Sequence, residues 1–128
     1  MKPKTSDTAN ILGKVGEDFS AKYLEKQGYK IIDRNYKIRT AEIDIIAEKD
    51  NTIIFVEVKT RSNIRHGFPV EAVNLRKQKR IIEGASVFLQ DEKYFDFNCR
   101  FDVIEVYSVG DELELRHIEN AFEVTSDF

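Results

Sequence analysis

The chain has 128 residues, 34% of them charged and 41% hydrophobic, which supports one core and falls short of two ordinary domains. Its formal charge of −3 argues against a strongly basic nucleic-acid coat protein. The single cysteine, Cys99, rules out an intrachain disulfide, and with only His66 and His117 no zinc-ligand cluster can form. Residues Met1 to Leu12 carry no apolar run ahead of a small-residue cleavage site, and the longest apolar run, Ile53 to Val56, is far too short to cross a bilayer. A cytoplasmic protein without signal peptide or membrane span is therefore expected.

In chain order, Thr8 to Gln27 gathers Leu12, Val15, Phe19, Tyr23 and Leu24 on one side of a helical wheel, with Lys14, Asp18, Lys22 and Glu25 pointing away. Gly28 closes this helix. Strands follow at Tyr29 to Tyr36, Ala41 to Glu48 and Thr52 to Thr60, the last two joined by the turn signal Lys49-Asp50-Asn51. A loop from Arg61 to Pro69, containing His66, leads to a second helix over Leu75 to Gln90, with Leu75, Ile81, Ile82, Ala85, Phe88 and Leu89 on its apolar side. Two more strands, Arg100 to Ser108 and Leu113 to Ile118, flank a turn at Gly110-Asp111. The order predicts an α/β fold: a mixed central sheet of about five strands flanked by helices, its first three strands antiparallel, with a core over about residues 8–119 and flexible termini.

The net charge divides unevenly along the chain. Residues 1–58 are neutral, residues 59–80 carry seven basic side chains against one acid, and residues 81–128 carry three against twelve. The basic segment holds Lys59, Arg61, Arg65, Arg76, Lys77, Lys79 and Arg80. Such a block is ordinarily a solvated face, and beside a reactive centre it becomes a rim for the phosphates of a nucleic acid.

A centre is offered by the hairpin. With Asp50 and Asn51 in the turn, residues whose numbers sum to about 101 face each other, so Asp44 opposes Glu57 and Glu42 opposes Lys59, all on one side of the sheet. Directly opposed carboxylates repel. Two readings remain open: a cross-strand salt lattice at a solvated sheet end, or a divalent metal site with hard oxygen ligands from Asp44, Glu57 and the carbonyl of Val58, suited to Mg²⁺ or Mn²⁺. In the second, Lys59 orients or deprotonates a water and stabilises charge on a phosphate. Glu17 sits at the border of the first helix's apolar arc near Gly13, Gly16 and Ser20, whose small side chains suit close approach to the sheet. It either looks into the same site or bends to solvent toward Lys14. Gln78, inside the second helix's apolar arc, either joins the site or bonds a backbone group. Asp102, in an apolar strand, is expected to pair with a basic group or backbone amides.

These residues carry a resemblance. Gly13 to Glu17, Tyr29, Arg34-Asn35-Tyr36, Ala41 to Ile46 with Asp44, Phe55 to Arg61 with Glu57 and Lys59, Lys77 to Arg80 and Arg100 to Val103 resemble the YraN-like family of uncharacterised bacterial proteins, over about residues 11–107. That family is similar to the archaeal Holliday junction resolvases of the restriction-endonuclease-like superfamily. The resemblance implies a single metal-dependent nuclease domain with Asp44 and Glu57 as metal ligands, Lys59 as catalytic lysine and Glu17 as a helix-borne acidic partner. It also implies Mg²⁺ or Mn²⁺ as cofactor, DNA as substrate, branched or structured forms included, and a homodimer. One departure is Ala41, where the family usually has glycine before Glu-Ile-Asp; alanine disfavours φ > 0, which predicts a reshaped entry to the second strand.

Two other functions are compatible with the sequence. A non-catalytic nucleic-acid-binding or DNA-processing accessory module would use the basic segment alone. A protein-interaction domain would use the acidic C-terminal third, with Glu112, Glu114 and Glu119.

Overall fold

The computed structural model describes residues 5–61 and 73–124. The elements are α1 (Thr5–Lys26), β1 (Lys30–Ile38), β2 (Ala41–Lys49), β3 (Thr52–Arg61), α2 (Leu75–Phe88), a 3-10 turn at Glu92–Tyr94, β4 (Asn98–Val109) and β5 (Glu112–Phe122). Five strands form one sheet in the order β1-β2-β3-β4-β5. β1, β2 and β3 run antiparallel as the turn chemistry predicts, β3 and β4 pair in parallel across the α2 crossover, and β5 returns antiparallel. The expected mixed α/β architecture is thus present, and no described helix is long and apolar enough to cross a membrane.

Local chemistry sets the element ends. Gly28, at φ 91°, ends α1 in a Schellman motif: its N–H bonds the Glu25 carbonyl, and the Tyr29 N–H reaches the Leu24 carbonyl at 2.9 Å. Asp50 and Asn51 both adopt positive φ, 51° and 59°, which is the two-residue turn that fixes the β2–β3 register. Gly110, at φ 59°, turns β4 into β5.

Each face of the sheet is covered. On one, Ala21 and Leu24 of α1 pack against Ile45, Ala47, Ile54, Val56, Ile104 and Val106; on the other, Ile81 and Ala85 of α2 pack against Ile43, Ile46, Ile53, Phe55, Phe101 and Val103. That is why Ile53 to Val56 is continuously apolar rather than alternating.

Three expectations are corrected. Leu12 and Val15 are exposed, because α1 turns its small residues inward: Ser20 is fully buried, and a Cβ on Gly16 would overlap the Thr60 hydroxyl of β3. Leu75 is also exposed, lying at the solvent-facing start of α2. The core extends past residue 119, since β5 runs to Phe122, whose ring stacks on Phe101 at 5.0 Å. Arg61, expected to open a loop, instead ends β3, and the rest of that loop to Pro69, with Arg65 and His66, lies outside the described residues.

The contact at Gly16 sets the distance between α1 and the sheet. Gly16→Ala should therefore destabilise the protein by about 1–3 kcal/mol through overpacking. Gly13→Ala, where an added Cβ meets nothing within 4 Å, should stabilise it by up to about 1 kcal/mol. Thermal unfolding of the two variants checks the pair, and equal shifts would refute the close approach.

Candidate active site

The β2–β3 ladder obeys the predicted register from Lys49↔Thr52 to Ile45↔Val56 and ends one pair short of Asp44 and Glu57. There the Asp44 carboxylate replaces backbone pairing, its Oδ2 accepting the Val58 N–H at 2.8 Å. Ile43 and Ile46 both pack toward α2 while Ile45 packs toward α1, so side-chain alternation breaks across Asp44. Beside this break, Asn35 of β1 takes φ 53°, a conformation that asparagine tolerates better than most residues. β3 stays paired to β4 as far as Arg61↔Tyr107. The two hairpin strands therefore fork, with the carboxylates in the notch.

The fork corrects the expected pairing of Glu42 with Lys59. Glu42 is exposed beside Lys37 of β1, whereas Lys59 lies beside Glu105 of β4. It also bears on Ala41, which is not among the described residues with positive φ and forms the first ladder pair of β2 with Ile38. Alanine is accommodated there as an ordinary strand residue.

Charge in the notch is closely managed. Glu57 is buried at 4% exposure, and Lys77, from the first turn of α2, places its ammonium against Oε1. Asn74 caps α2 by accepting the Lys77 N–H at 2.9 Å, which fixes the turn that carries the lysine. Asp44 is pushed up to about 8 by burial, then by the charge of Glu57, with Glu17 adding to it; the Val58 amide opposes the shift. Burial also lowers the Lys59 ammonium, aided by the nearby charge of Lys77 and opposed by Glu57. Burial raises Glu17, which Arg34 of β1 restrains from 3.7 Å and Asn35 through a hydrogen bond. Asp18 does not point away as the wheel suggested: it takes the Arg34 guanidinium at 2.7 Å, pinning α1 to β1.

Two clefts, of about 550 and 440 Å³, open on either side of the notch and share Asp44, Glu57 and Lys77 as walls. The larger is completed by Thr40, Glu42, Asn74, Arg76 and Arg80, the smaller by Leu12, Gly13, Glu17, Val58 and Thr60. The fold thus brings Glu17, Asp44, Glu57 and Val58 to one cleft, and Arg76, Lys77 and Arg80 to the other. Lys59 shares the electrostatics of the notch without walling either cleft.

The remaining basic residues divide. Arg61 is drawn to buried Glu105 at 3.6 Å, Lys79 is exposed on α2 outside the cleft walls, and Arg65 lies outside the described residues. Gln78 takes the backbone alternative, donating to the Val73 carbonyl at 3.1 Å. Asp102 pairs as expected, accepting from Arg100, His117 and the Asn120 N–H. Sequence reading missed Glu105 and the pairing of Lys77 with Glu57. Both depend on the β3–α2–β4 crossover, and the one local signal was an acid, Glu105, inside the apolar run Phe101 to Val106.

Among the described residues, no three His, Cys, Asp or Glu side chains gather closely enough to hold a metal ion. The donors at the notch are nevertheless all hard oxygens, and Glu57 already holds a cation there in the Lys77 ammonium. This chemistry fits Mg²⁺ or Mn²⁺ on Asp44, Glu57 and the Val58 carbonyl, with water completing the shell.

The proton on Asp44 has a consequence for stability. A folded-state pKa raised above the unfolded value favours the native state at low pH, and that contribution is lost as pH rises through about 8. In chelator, Asp44→Asn mimics the protonated acid, so the Tm of the variant relative to the parent chain should rise steadily from about pH 4 to about pH 8 and level off above it. A difference in Tm independent of pH would show that Asp44 does not carry this proton.

A family model described as "Uncharacterised protein family UPF0102" matches residues 16–106. A UPF0102 protein of Caldanaerobacter subterraneus subsp. tengcongensis is 46% identical over 114 residues, covering 87% of this chain and 93% of the relative. One from Syntrophotalea carbinolica is 47% identical over 113 residues, covering 88% and 92%. One from Prosthecochloris aestuarii is 48% identical over 117 residues, covering 87% and 92%. The matched span contains Glu17, Asp44, Glu57, Lys59 and the basic turn of α2, and the chain belongs to the uncharacterised family UPF0102.

Proposed function

We propose that this protein is a Mg²⁺-dependent endonuclease that hydrolyses DNA phosphodiester bonds, a member of the restriction-endonuclease-like superfamily acting on branched or structured DNA as a homodimer. The observation that carries the reading is the fork: Asp44 and Glu57 are held together in a notch between two clefts, with Lys59 two residues along the same strand. Holding a half-buried and a buried carboxylate side by side is costly, since one keeps a proton and the other takes a lysine.

Bound at the notch, Mg²⁺ would polarise a phosphoryl oxygen and acidify a water. Asp44 and Glu57 would hold it with the Val58 carbonyl, Asp44 giving up its proton. Lys59, its ammonium destabilised by burial, would orient or deprotonate the attacking water and stabilise the charge that develops on the phosphate. Glu17 faces the notch from α1 and, kept from its usual acidity by burial, suits a hydrogen-bonding role toward water. Arg76, Lys77 and Arg80 give the larger cleft the charge to hold the flanking phosphodiester backbone.

The second reading, a DNA-binding module that does not cut, draws support from the lack of a three-ligand cluster among the described residues. Incubation with duplex, single-stranded, flap and junction DNA in Mg²⁺ or Mn²⁺ separates the two. Cleavage that Lys59→Ala lowers by about 10²–10⁴-fold supports the nuclease; salt-dependent binding without cleavage by the parent chain selects the module. In either case Arg80→Ala should weaken binding uniformly across sequences and reduce the slope of log K against log salt by about 1. An unchanged slope would remove Arg80 from the interface.

A further inference from the structure

Glu57 is a nearly fully buried carboxylate whose ion-pair partner is not Lys59, its neighbour on β3, but the ammonium of Lys77 from α2. The two partners are unequally placed: the Glu57 side chain is 5% exposed and that of Lys77 43%. The lysine therefore reaches inward from the surface on a flexible four-carbon stem, and can withdraw without moving the helix, whose start is fixed independently by the Asn74 cap. Lys77 also walls both clefts, so its ammonium stands at the passage between them.

A divalent ion and an ammonium cannot both occupy the inner oxygen of Glu57. Their repulsion would be strong at this separation, and both would draw on the single negative charge of one carboxylate, whose Oε1 the ammonium already holds. From this geometry we propose that Lys77 is a tethered counter-cation that occupies Glu57, competes with the divalent metal for it, and is expelled toward Arg76 and Arg80 when metal binds. The inference rests on the metal-binding role of Asp44 and Glu57 proposed above. It gives Lys77 two positions: on Glu57 it keeps the buried acid neutralised, and released it joins the cations of the larger cleft. Arg80 walls that cleft without an ion pair to Glu57, so it reports the general field of a nearby positive charge.

Mn²⁺ binding measured by titration calorimetry at low ionic strength tests this in the parent chain, K77M and R80Q. Direct competition predicts about tenfold tighter binding in K77M and a change within about twofold in R80Q. Binding that is unchanged or weaker in K77M, or tightened equally in both variants, overturns the competition. Binding absent from the parent chain and from K77M overturns the metal site itself, and the inference with it; binding that appears only in K77M supports both. If K77M does not fold, the ammonium resonance of Lys77 in the ¹⁵N-labelled parent chain, assigned by its absence in K77R, gives the same answer. Mg²⁺ should shift it or broaden it away, and a resonance unmoved at Mg²⁺ levels that shift the Glu57 and Val58 amides would refute the displacement.

Discussion

Two carboxylates on neighbouring strands cannot both be buried and ionised in a low-dielectric notch, and much of this molecule is arranged around that constraint. Asp44 answers it with a proton and with the Val58 amide, Glu57 with the ammonium of Lys77. Each answer places a demand elsewhere. The amide is free to bond Asp44 because β2 and β3 stop pairing at Ile45↔Val56. The ammonium arrives because β3 and β4 are parallel, which requires a crossover, and the crossover helix begins over the notch. Glu17 reaches the same place only because Gly16 lets α1 settle on Thr60.

The buried acid of β4 shows how differently a structural carboxylate is treated. Asp102 is fully buried, and burial acts to raise its pKa, yet bonds from His117, Arg100 and the Asn120 amide hold it below its usual value. His117 is held in turn by Tyr23 of α1 at 3.0 Å, and Arg100 by the Tyr29 hydroxyl at 2.9 Å. That network ties α1 to β4 and β5 and satisfies the charge it encloses. Asp44 is shifted the other way, with a second acid beside it and a cleft on either side. Burial alone separates nothing here; what distinguishes the two sites is whether the carboxylate's own neighbours can meet its charge.

The legible parts of the sequence were those fixed by local chemistry. Asp50 and Asn51 sit in the turn that sets the hairpin register, and that register brings Asp44 to the level of Glu57. Gly28 and Gly110 mark their turns for the same reason. Period-two alternation failed at Asp44, where a side chain takes over a ladder position and no residue pattern announces it. The wheel misjudged α1 because it ranked positions by hydrophobicity, whereas the sheet selected Gly16, Ser20, Ala21 and Leu24 by fit. By pattern alone Lys77 is one of a row of surface cations and Glu105 one acid within an apolar run. Lys77 meets Glu57 through the crossover helix and Glu105 lies beside Lys59 through the parallel pairing, and local patterns encode neither.

The first turn of α2 carries the clearest conflict between local and global preference. A helix start favours acids, because its unpaired N–H groups and the helix dipole present positive charge there, and a capping box would place Glu or Gln where Lys77 stands. Here that turn has no acid at all and carries Arg76 and Lys77. As an isolated segment the arrangement is unfavourable, and only the Asn74 cap relieves it. Set over the notch, the same turn meets an anion: Glu57 engages Lys77, while Arg76 and Arg80 extend the positive charge along the larger cleft. One buried carboxylate balances one of these three cations, and among the described residues no ion pair engages Arg76 or Arg80. A helix start that combines its own dipole with surplus side-chain cations is poorly suited to an isolated protein and well suited to a phosphate backbone, whose charge is repeated along its length.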